Sequence, residues 1–159
     1  MAVTFHTSQG DLKLEVFCDT VHKTSENFLA LCANGYYNGT LFHRNIKGFM
    51  IQGGDPTGTG KGGSSIWGNK FEDEFSTSLK HDTRGIISMA NSGPNTNGSQ
   101  FFVSYKPAAH LNNKYTVFAK VIHGMETLDS MEKVPVDARD RPLEAITLRS
   151  VTIHSNPLA

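Results

Sequence analysis

A glycine-rich stretch with one lysine is the first part of this sequence that could do chemistry. In DPTGTGKGGSSIWG three glycines satisfy the pattern G-x-G-x-x-G, and Lys61 lies among them as a lysine lies beside a bound phosphate. A dinucleotide site also needs a strand before the first glycine and a helix after the last, which residues 55–57 and 64–68 do not supply. A Walker loop fails because Gly62, not serine or threonine, follows the lysine. The pattern is instead typical of a surface loop with unusual backbone angles.

Other residue types with chemical potential are scattered or better explained by packing. The histidines include no pair at metal-ligand spacing, so we expect no metal. They are His6, His22, His43, His81, His110, His123 and His154. Asp73 and Glu74 are adjacent, so on a strand they face opposite ways, and this acidic run is typical of a solvated loop. Cys32 has no neighbouring base and is expected to pack in the core.

Three segments are too specific to be ordinary loop or strand. They read FHRNIKGFMIQGGD at 42–55, FEDE at 71–74 and SMANSGPNTNGSQFF at 88–102. The first and third resemble, in sequence and in order, the signature motifs of the cyclophilin family of peptidyl-prolyl cis-trans isomerases. The resemblance covers nearly the whole chain. Within the family, the chain looks most like the short cyclophilin-like type 3 proteins associated with the spliceosome. It implies a mainly β fold, a closed eight-stranded antiparallel barrel capped by two α-helices.

The resemblance also implies a site. Arg44 would be the catalytic hydrogen-bond donor, and Gln52 would help to hold the carbonyl side of the substrate. Three residues would bind the substrate main chain, with the asparagine as main partner of the peptide amide: Ala90, Asn91 and Gln100. An apolar pocket for the proline ring would be lined by Phe49, Met50, Phe102 and Leu111. No cofactor is implied.

An arginine suits this chemistry for a physical reason. Rotation about an X-Pro bond must break amide conjugation against a barrier of roughly 18–20 kcal/mol. The proline nitrogen regains a lone pair in the twisted state, so a fixed donor aimed there stabilises the transition state more than either planar state. A guanidinium stays charged and carries several donors. Because no titrating acid or base is needed, we expect turnover to vary little with pH near neutrality.

Strand parity constrains this assignment. Two pairs share a strand face and can reach one pocket, namely Met50 with Gln52 and Gln100 with Phe102. Phe49 has the opposite parity, so the backbone near Gly48 must bend if it too lines the site, and core packing is the alternative. His43 points away from the face of Arg44 and is expected to be a packed histidine.

Two positions depart from the best-known family pattern. Where many members have a tryptophan this chain has His110, and where they have a histidine in the pocket it has Tyr115. Both are predicted to contact substrate. Loss of the indole predicts weak cyclosporin binding, whereas Tyr115 keeps an aromatic wall, so isomerase activity should survive. Ser92 replaces a more usual alanine and is expected to alter the residue preferred before proline.

The elements that must position these residues follow from apolar periodicity. Residues 3–7 and 12–16 alternate as the strands of an opening hairpin, and a helix over 25–33 is capped by Thr24 and ended by Gly35. Six further strands are predicted at 41–44, 49–52, 85–90, 100–104, 116–121 and 145–153, with a second helix at 125–131. Strands at this spacing favour a sandwich or closed barrel over a doubly wound fold.

The totals exclude several classes of protein. The 159 residues are most simply one domain, 1–159, and the 15 basic and 15 acidic side chains leave no net charge. Neither nucleic acid nor an anionic membrane is therefore expected as a main partner. The two cysteines lack C-x-x-C spacing, and we find neither a signal-peptide pattern nor an apolar run of membrane-spanning length. We expect a monomer in the nucleus and/or the cytoplasm.

Two functional hypotheses follow. The first is a peptidyl-prolyl isomerase that acts on proline-containing peptides and proteins, with spliceosomal proteins among its partners. The alternative is a non-catalytic module that binds proline-containing segments of a larger assembly with the same pocket. Taken singly, Arg44, Gln52 and Asn91 also fit an ion pair, an exposed strand residue and a turn former. The two matched motifs together favour the isomerase.

Overall fold

The computed structural model describes residues 1–154, and positions 155–159 of the predicted domain lie outside the described residues. Residues 1–154 contain nine strands and two α-helices. The strands are β1 Ala2–Thr7, β2 Gly10–Val16, β3 Thr40–Leu41, β4 Arg44–Ile46, β5 Met50–Gly53, β6 Ile86–Met89, β7 Phe101–Ser104, β8 Val117–His123 and β9 Thr147–His154. The helices are α1 His22–Ala33 and α2 Met125–Lys133, with a short 3-10 helix at Ala109–Leu111. None of these described helices is long and apolar enough to cross a membrane.

All nine strands belong to one antiparallel sheet, in the order β3-β9-β1-β2-β8-β6-β7-β5-β4. Its two edge strands are successive in the chain, separated only by Phe42 and His43, and Leu41 bridges to Asp55 just beyond β5. The two edges of the sheet therefore meet along residues 40–46. The predicted mainly β, barrel-like fold is confirmed, and β3 with β4 count as one of its eight strands. The single strand predicted over 41–44 is interrupted, because pairing passes from β9 to β5 at this point.

The core lies between α1 and the inner face of the sheet. Phe28 of α1 packs against Phe118 with ring centroids 4.8 Å apart, and Phe101 meets Phe5 at 5.4 Å. Cys32 lies on the same helix and is buried, and this burial raises the pKa of its thiol well above the ordinary range. Cys32 is therefore a packing residue, as its place on the helix predicts.

The start of α1 differs from the prediction. The helix begins at His22, and the side chain of Val21 at its N-cap makes no capping bond. Thr24 lies within the first turn, where its N–H and hydroxyl both donate to Glu74 Oε1 at 2.6 Å. Thr24 is therefore not the cap, and Glu74 is not part of a merely solvated loop. A carboxylate 50 residues away in the chain satisfies the helix terminus, where negative charge is favourable.

Gly35 ends α1 as predicted. Its φ of +70° is left-handed, and its N–H donates to the carbonyl of Cys32 while that of Tyr36 donates to Leu31. These two bonds satisfy carbonyls that the helix end would otherwise leave without partners. The turn directs the chain towards β3.

Candidate active site

Arg44 and Gln52 face each other across the hairpin of β4 and β5, where they are direct partners in the register. Arg44 is exposed and Gln52 half-buried. The hairpin closes with the N–H of Phe49 donating to the carbonyl of Ile46 at 2.9 Å, and Gly48 takes a φ of +78°. That left-handed conformation favours glycine. It supplies the bend that the parity argument required, and Phe49 turns towards the same pocket as Met50.

An apolar pocket of about 160 Å³ opens beside this hairpin. Its walls are Arg44, Phe49, Met50, Gln52, Ala90, Asn91, Phe102, Leu111 and Tyr115. The structure thus brings together nine of the eleven residues predicted for the site, and Gln100 and His110 are the other two. Met50, Phe102 and Leu111 form its buried floor with Ala108. A cavity this small suits one side-chain ring rather than a drug-sized ligand.

His81 supports the floor of the pocket and was not predicted to do so. Its ring stacks almost parallel to that of Phe102, with centroids 6.1 Å apart. Nδ1 lies 2.9 Å from Asn112 Oδ1, and Nε2 lies 2.7 Å from Ser88 Oγ. Burial lowers the pKa of His81, so the ring is neutral, donating to Asn112 and accepting from Ser88. It ties the pocket floor to the segment that carries Leu111.

His43 is the other buried histidine near the site. It lies between β3 and β4 against Gly60, and its Nδ1 has no hydrogen-bond partner among the described residues. Burial lowers its pKa, and the guanidinium groups of Arg141 and Arg44 act in the same direction while Asp55 opposes them. His43 is a packed, neutral histidine, as expected from the strand pattern.

The two departures from the family pattern occupy different places. His110 is exposed and does not line the pocket; its ring stacks on Phe49 with centroids 5.9 Å apart. Tyr115 is a wall of the pocket and stands edge-on to Phe102 at 5.4 Å. His110 therefore marks the rim, where it cannot cover the pocket as an indole would, and Tyr115 preserves an aromatic wall.

The side chain of Asn91 is hydrogen-bonded within the protein, whereas, among the described residues, its main chain is not. Nδ2 donates to the carbonyl of Lys114 at 2.8 Å, and Oδ1 accepts from the N–H of Gly93 at 3.2 Å. Within residues 1–154, no hydrogen bond uses the main-chain N–H or C=O of Asn91. The residue continues the line of β6 at the pocket edge. Its main chain can therefore pair with an extended peptide by strand addition.

Gln100 contacts the glycine-rich loop rather than the apolar pocket. Its Oε1 accepts from Gln52 Nε2 at 2.9 Å, and its Nε2 donates to the carbonyls of Gly60 at 3.0 Å and Gly62 at 2.9 Å. Its main-chain carbonyl accepts from the N–H of Ala90. These bonds already occupy most of the capacity of Gln100 for hydrogen bonding, and its predicted contact with the substrate main chain stays a prediction.

The glycine-rich loop is wrapped around Asp55. The buried carboxylate accepts from the N–H groups of Thr57, Gly60 and Gly62 at 2.8–3.0 Å and from the hydroxyl of Thr57 at 2.8 Å. Burial alone would raise the pKa of Asp55, but these hydrogen bonds lower it to about 2. The amides that could cradle a phosphate are thus bound to the protein's own carboxylate. This is the physical reason that the nucleotide interpretation fails.

Comparisons with known proteins agree with this geometry. The family model for the cyclophilin type peptidyl-prolyl cis-trans isomerase/CLD matches residues 2–153. Peptidyl-prolyl cis-trans isomerase CYP18-1 of Arabidopsis thaliana is 69% identical over 100% of this chain and 99% of its own length. Peptidyl-prolyl cis-trans isomerase-like 3 of Homo sapiens is 64% identical with the same coverage.

The comparison with solved structures leads to the same family. A crystal structure of a cyclophilin type peptidyl-prolyl cis-trans isomerase from Cryptosporidium parvum, in the presence of the dipeptide ala-pro, is similar with a TM-score of 0.96 and 53% identity. The similarity covers 98% of this chain and 100% of that one. The predicted family, fold class and isomerase function are confirmed. This chain belongs to the cyclophilin family of peptidyl-prolyl cis-trans isomerases.

Proposed function

We propose that this chain isomerises X-Pro bonds by holding the proline ring in the 160 Å³ pocket while Arg44 donates to the proline nitrogen. The proposal rests on the position of one side chain. The guanidinium of Arg44 lies in the wall of a pocket whose floor is apolar, and the short hairpin of β4 and β5 holds it there. Rotation about the X-Pro bond needs no covalent chemistry. It requires an apolar site that holds the proline ring and a charged donor beside that site.

The pocket and the donor have separate tasks. Met50, Phe102 and Leu111 grip the ring and exclude water from it. The main chain of Asn91 pairs with the substrate backbone, so one side of the X-Pro bond is fixed. Gln52, the register partner of Arg44, is assigned to the carbonyl side. Conjugation is lost as the X-Pro bond twists, and the guanidinium stabilises the freed lone pair.

The magnitudes are compatible with this division. An acceleration of about 10⁴–10⁵-fold needs roughly 5.5–7 kcal/mol. One preorganised donor supplies about 2.7–4 kcal/mol at the transition state of other enzymes. The remaining few kcal/mol must come from positioning and from exclusion of water in the pocket. Arg44 is therefore expected to be the largest single contribution without being the whole of it.

NMR exchange spectroscopy on an Ala-Pro peptide tests the proposal. The wild-type protein, in catalytic amounts, should bring exchange from many seconds to milliseconds. Arg44→Ala should lose about 10²–10³-fold in kcat/KM while its amide spectrum stays folded, because Arg44 is exposed. Arg44→Lys, which keeps the charge but not the fork of donors, should lie between the two.

The alternative, a non-catalytic proline-binding module, makes the opposite prediction for that experiment. Wild-type protein would bind the peptide, shift its resonances and leave exchange slow. Equal exchange rates for wild type and Arg44→Ala would likewise remove Arg44 from the mechanism. Slow exchange with bound peptide would make the pocket a recognition site and not a catalytic one.

The client proteins belong to the proposal as well. We assign proline-containing segments of spliceosomal proteins as partners and the nucleus and/or cytoplasm as location. Support comes from similarity to proteins named peptidyl-prolyl cis-trans isomerase-like 3, and from two cysteines that lack the spacing of a redox or metal motif. Affinity purification of the wild-type protein and of Arg44→Ala from nuclear extract, followed by mass spectrometry, would identify those partners.

A further inference from the structure

The hairpin that carries Arg44 is also held from the side that faces away from the pocket. Arg44 is exposed and Ile46 packs against the pocket floor, whereas Asn45 between them is buried. Successive residues of a strand face opposite ways, so the side chain of Asn45 points away from the pocket. Its partners there bear directly on where the guanidinium of the preceding residue lies.

Asn45 is bonded to three other parts of the chain. Its Oδ1 accepts from the hydroxyl of Tyr105, just after β7, at 2.6 Å. Its Nδ2 donates to the carbonyl of Met131 in α2 at 2.8 Å, and its main-chain N–H donates to the carbonyl of Asp140 at 2.8 Å. Both side-chain bonds are buried, and breaking one leaves a desolvated polar group without a partner. Asn45 is therefore fixed against the rest of the fold.

The tip of the hairpin is held by Glu132, in the last turn of α2. Its Oε2 accepts from the N–H of Gly48, the left-handed residue at the bend, at 2.8 Å. Its Oε1 accepts from Arg84 Nη1 at 2.9 Å. The same nitrogen donates to the carbonyl of Tyr105 at 2.8 Å, and the guanidinium carbon lies 5.2 Å from the centroid of the Tyr105 ring. The carboxylate thus joins the hairpin turn to an arginine that is itself fixed beside β7.

The place of β4 in the sheet explains why these contacts matter. β4 has three residues and lies at an edge, with β5 as its neighbour on one side. A strand within a sheet is bonded on both sides, whereas an edge strand leaves one row of N–H and C=O groups without a strand partner. At Asn45 the carbonyl of Asp140 takes the place of that missing strand. The contacts with Tyr105 and Glu132 hold the same short strand and its turn.

We propose that Asn45 and Glu132 are positioning residues of the isomerase, which hold β4 and its turn so that the guanidinium of Arg44 stays aimed at the proline nitrogen. The inference rests on the proposed function, because it requires Arg44 to be the donor. Misplacement of a catalytic group by about 1 Å can cost about 10²-fold in rate. Loss of one contact behind the hairpin permits a smaller displacement, so the expected loss is about tenfold in kcat/KM.

Two variants test the two anchors. Glu132→Ala removes the acceptor for the N–H of Gly48, and Tyr105→Phe removes only the hydroxyl that donates to Asn45. NMR exchange on an Ala-Pro peptide should show a kcat about tenfold lower in each variant. KM should stay within about twofold of wild type, because the apolar floor that holds the proline ring contains none of the altered residues.

Controls distinguish positioning from a general loss of structure. Asp129→Ala removes the other carboxylate that pairs with Arg84, at 2.7 Å; within residues 1–154 this carboxylate forms no hydrogen bond with the hairpin, so kcat and KM should match wild type. In an Arg44→Ala background, Glu132→Ala and Tyr105→Phe should each lower kcat by less than about twofold further, because no guanidinium remains to be misplaced. A merely structural defect would add its full loss in that background too.

The outcomes separate this inference from the proposed function. If wild-type protein leaves exchange slow, or if Arg44→Ala matches wild type, the proposed function fails and this inference fails with it. If activity depends on Arg44 but Glu132→Ala and Tyr105→Phe match wild type, the isomerase stands and the positioning role is overturned. A loss confined to KM, or a full further loss in the Arg44→Ala background, also overturns it. Because Tyr105 is buried and Glu132 only half-buried, Glu132→Ala decides alone if Tyr105→Phe does not fold.

Discussion

Gln52 donates a hydrogen bond from its side-chain amide to that of Gln100 at 2.9 Å, and this contact joins the apolar pocket to the glycine-rich loop. Gln52 lies in the wall of the apolar pocket opposite Arg44, while Gln100 holds the carbonyls of Gly60 and Gly62. Two amide side chains, one in β5 and one immediately before β7, thus connect the apolar pocket to the glycine-rich loop.

Gln100→Glu tests this connection. Glutamate keeps an acceptor for Gln52 but turns a carboxylate towards the carbonyls of Gly60 and Gly62, which repel it. We expect a loss of about 1–2 kcal/mol in transition-state binding, close to tenfold in kcat/KM, with most of the fold intact. Gln52→Glu is the matched variant, since it removes the donor to Gln100 and leaves the loop bonds in place. Wild-type kcat/KM in Gln100→Glu would show that the loop does not support the site.

Asp55→Asn tests the anchor of the same loop. Because the pKa of Asp55 is lowered from 3.8 to about 2, its carboxylate stabilises the folded state above pH 3.8, and this contribution is lost as the pH falls through about 2. The shift corresponds to about 2 kcal/mol. Urea unfolding should show a deficit of that order for Asp55→Asn at pH 7, narrowing towards pH 2. Asp137→Asn, at an exposed carboxylate, should have a much smaller effect; equal deficits would contradict the account.

Buried histidines predict how stability depends on pH. Burial lowers the pKa of His81 below 6.5, so the unfolded chain binds a proton at mildly acidic pH that the folded protein refuses. Stability should therefore be complete above pH 6.5 and decline below it. His81→Gln and His43→Gln should each weaken the fall in Tm between about pH 7.5 and pH 5.5, and exposed His123→Gln should not. An unchanged fall in both buried variants would contradict this.

Turnover should follow a different rule from stability. A guanidinium donor needs no change of protonation state to act, and His81 stays neutral above pH 6.5 because its pKa is lowered by burial. We therefore expect kcat/KM to stay nearly level from about pH 6.5 to pH 9. A steep bell-shaped profile, measured by NMR exchange on one peptide, would point to a titrating acid or base and away from this mechanism.

The rim residue predicts the response to cyclosporin. His110 stacks on Phe49 outside the pocket, and it lacks the indole N–H and the larger apolar face of a tryptophan. Wild-type protein should bind cyclosporin weakly, and His110→Trp should tighten binding by about tenfold or more. Isothermal titration calorimetry on the two proteins decides the matter. Nanomolar affinity in wild type would show that the rim tryptophan is dispensable here.

Local sequence predicted most of the secondary structure because its causes are local. Alternation of apolar residues identified β1, β2 and the paired faces of Met50 with Gln52, and Gly35 and Gly48 marked places where the backbone turns through positive φ. Each of these signals depends on residues that lie within a few positions of one another in the sequence.

The contacts that the sequence did not predict join residues that are distant from each other in the chain. Glu74 replaces Thr24 as the partner of the α1 terminus across 50 positions, and Gln100 reaches Gly60 across 40. A side chain that bonds to a distant main chain leaves no periodic trace in the sequence. The support that His81 gives to Phe102 was missed for the same reason.

By itself, the sequence determined the family and the mainly β fold, because the two motifs and the strand periods are carried by neighbouring positions, and the resemblance to the family supplied the nine residues that line the pocket. Only the tertiary structure decided that Gln100 holds a loop, that the side chain of Asn91 is bound within the protein, and that Lys61 and Lys70 line one cavity. Those relationships arise where the curled sheet brings its loops together, and their geometry depends on every element between them.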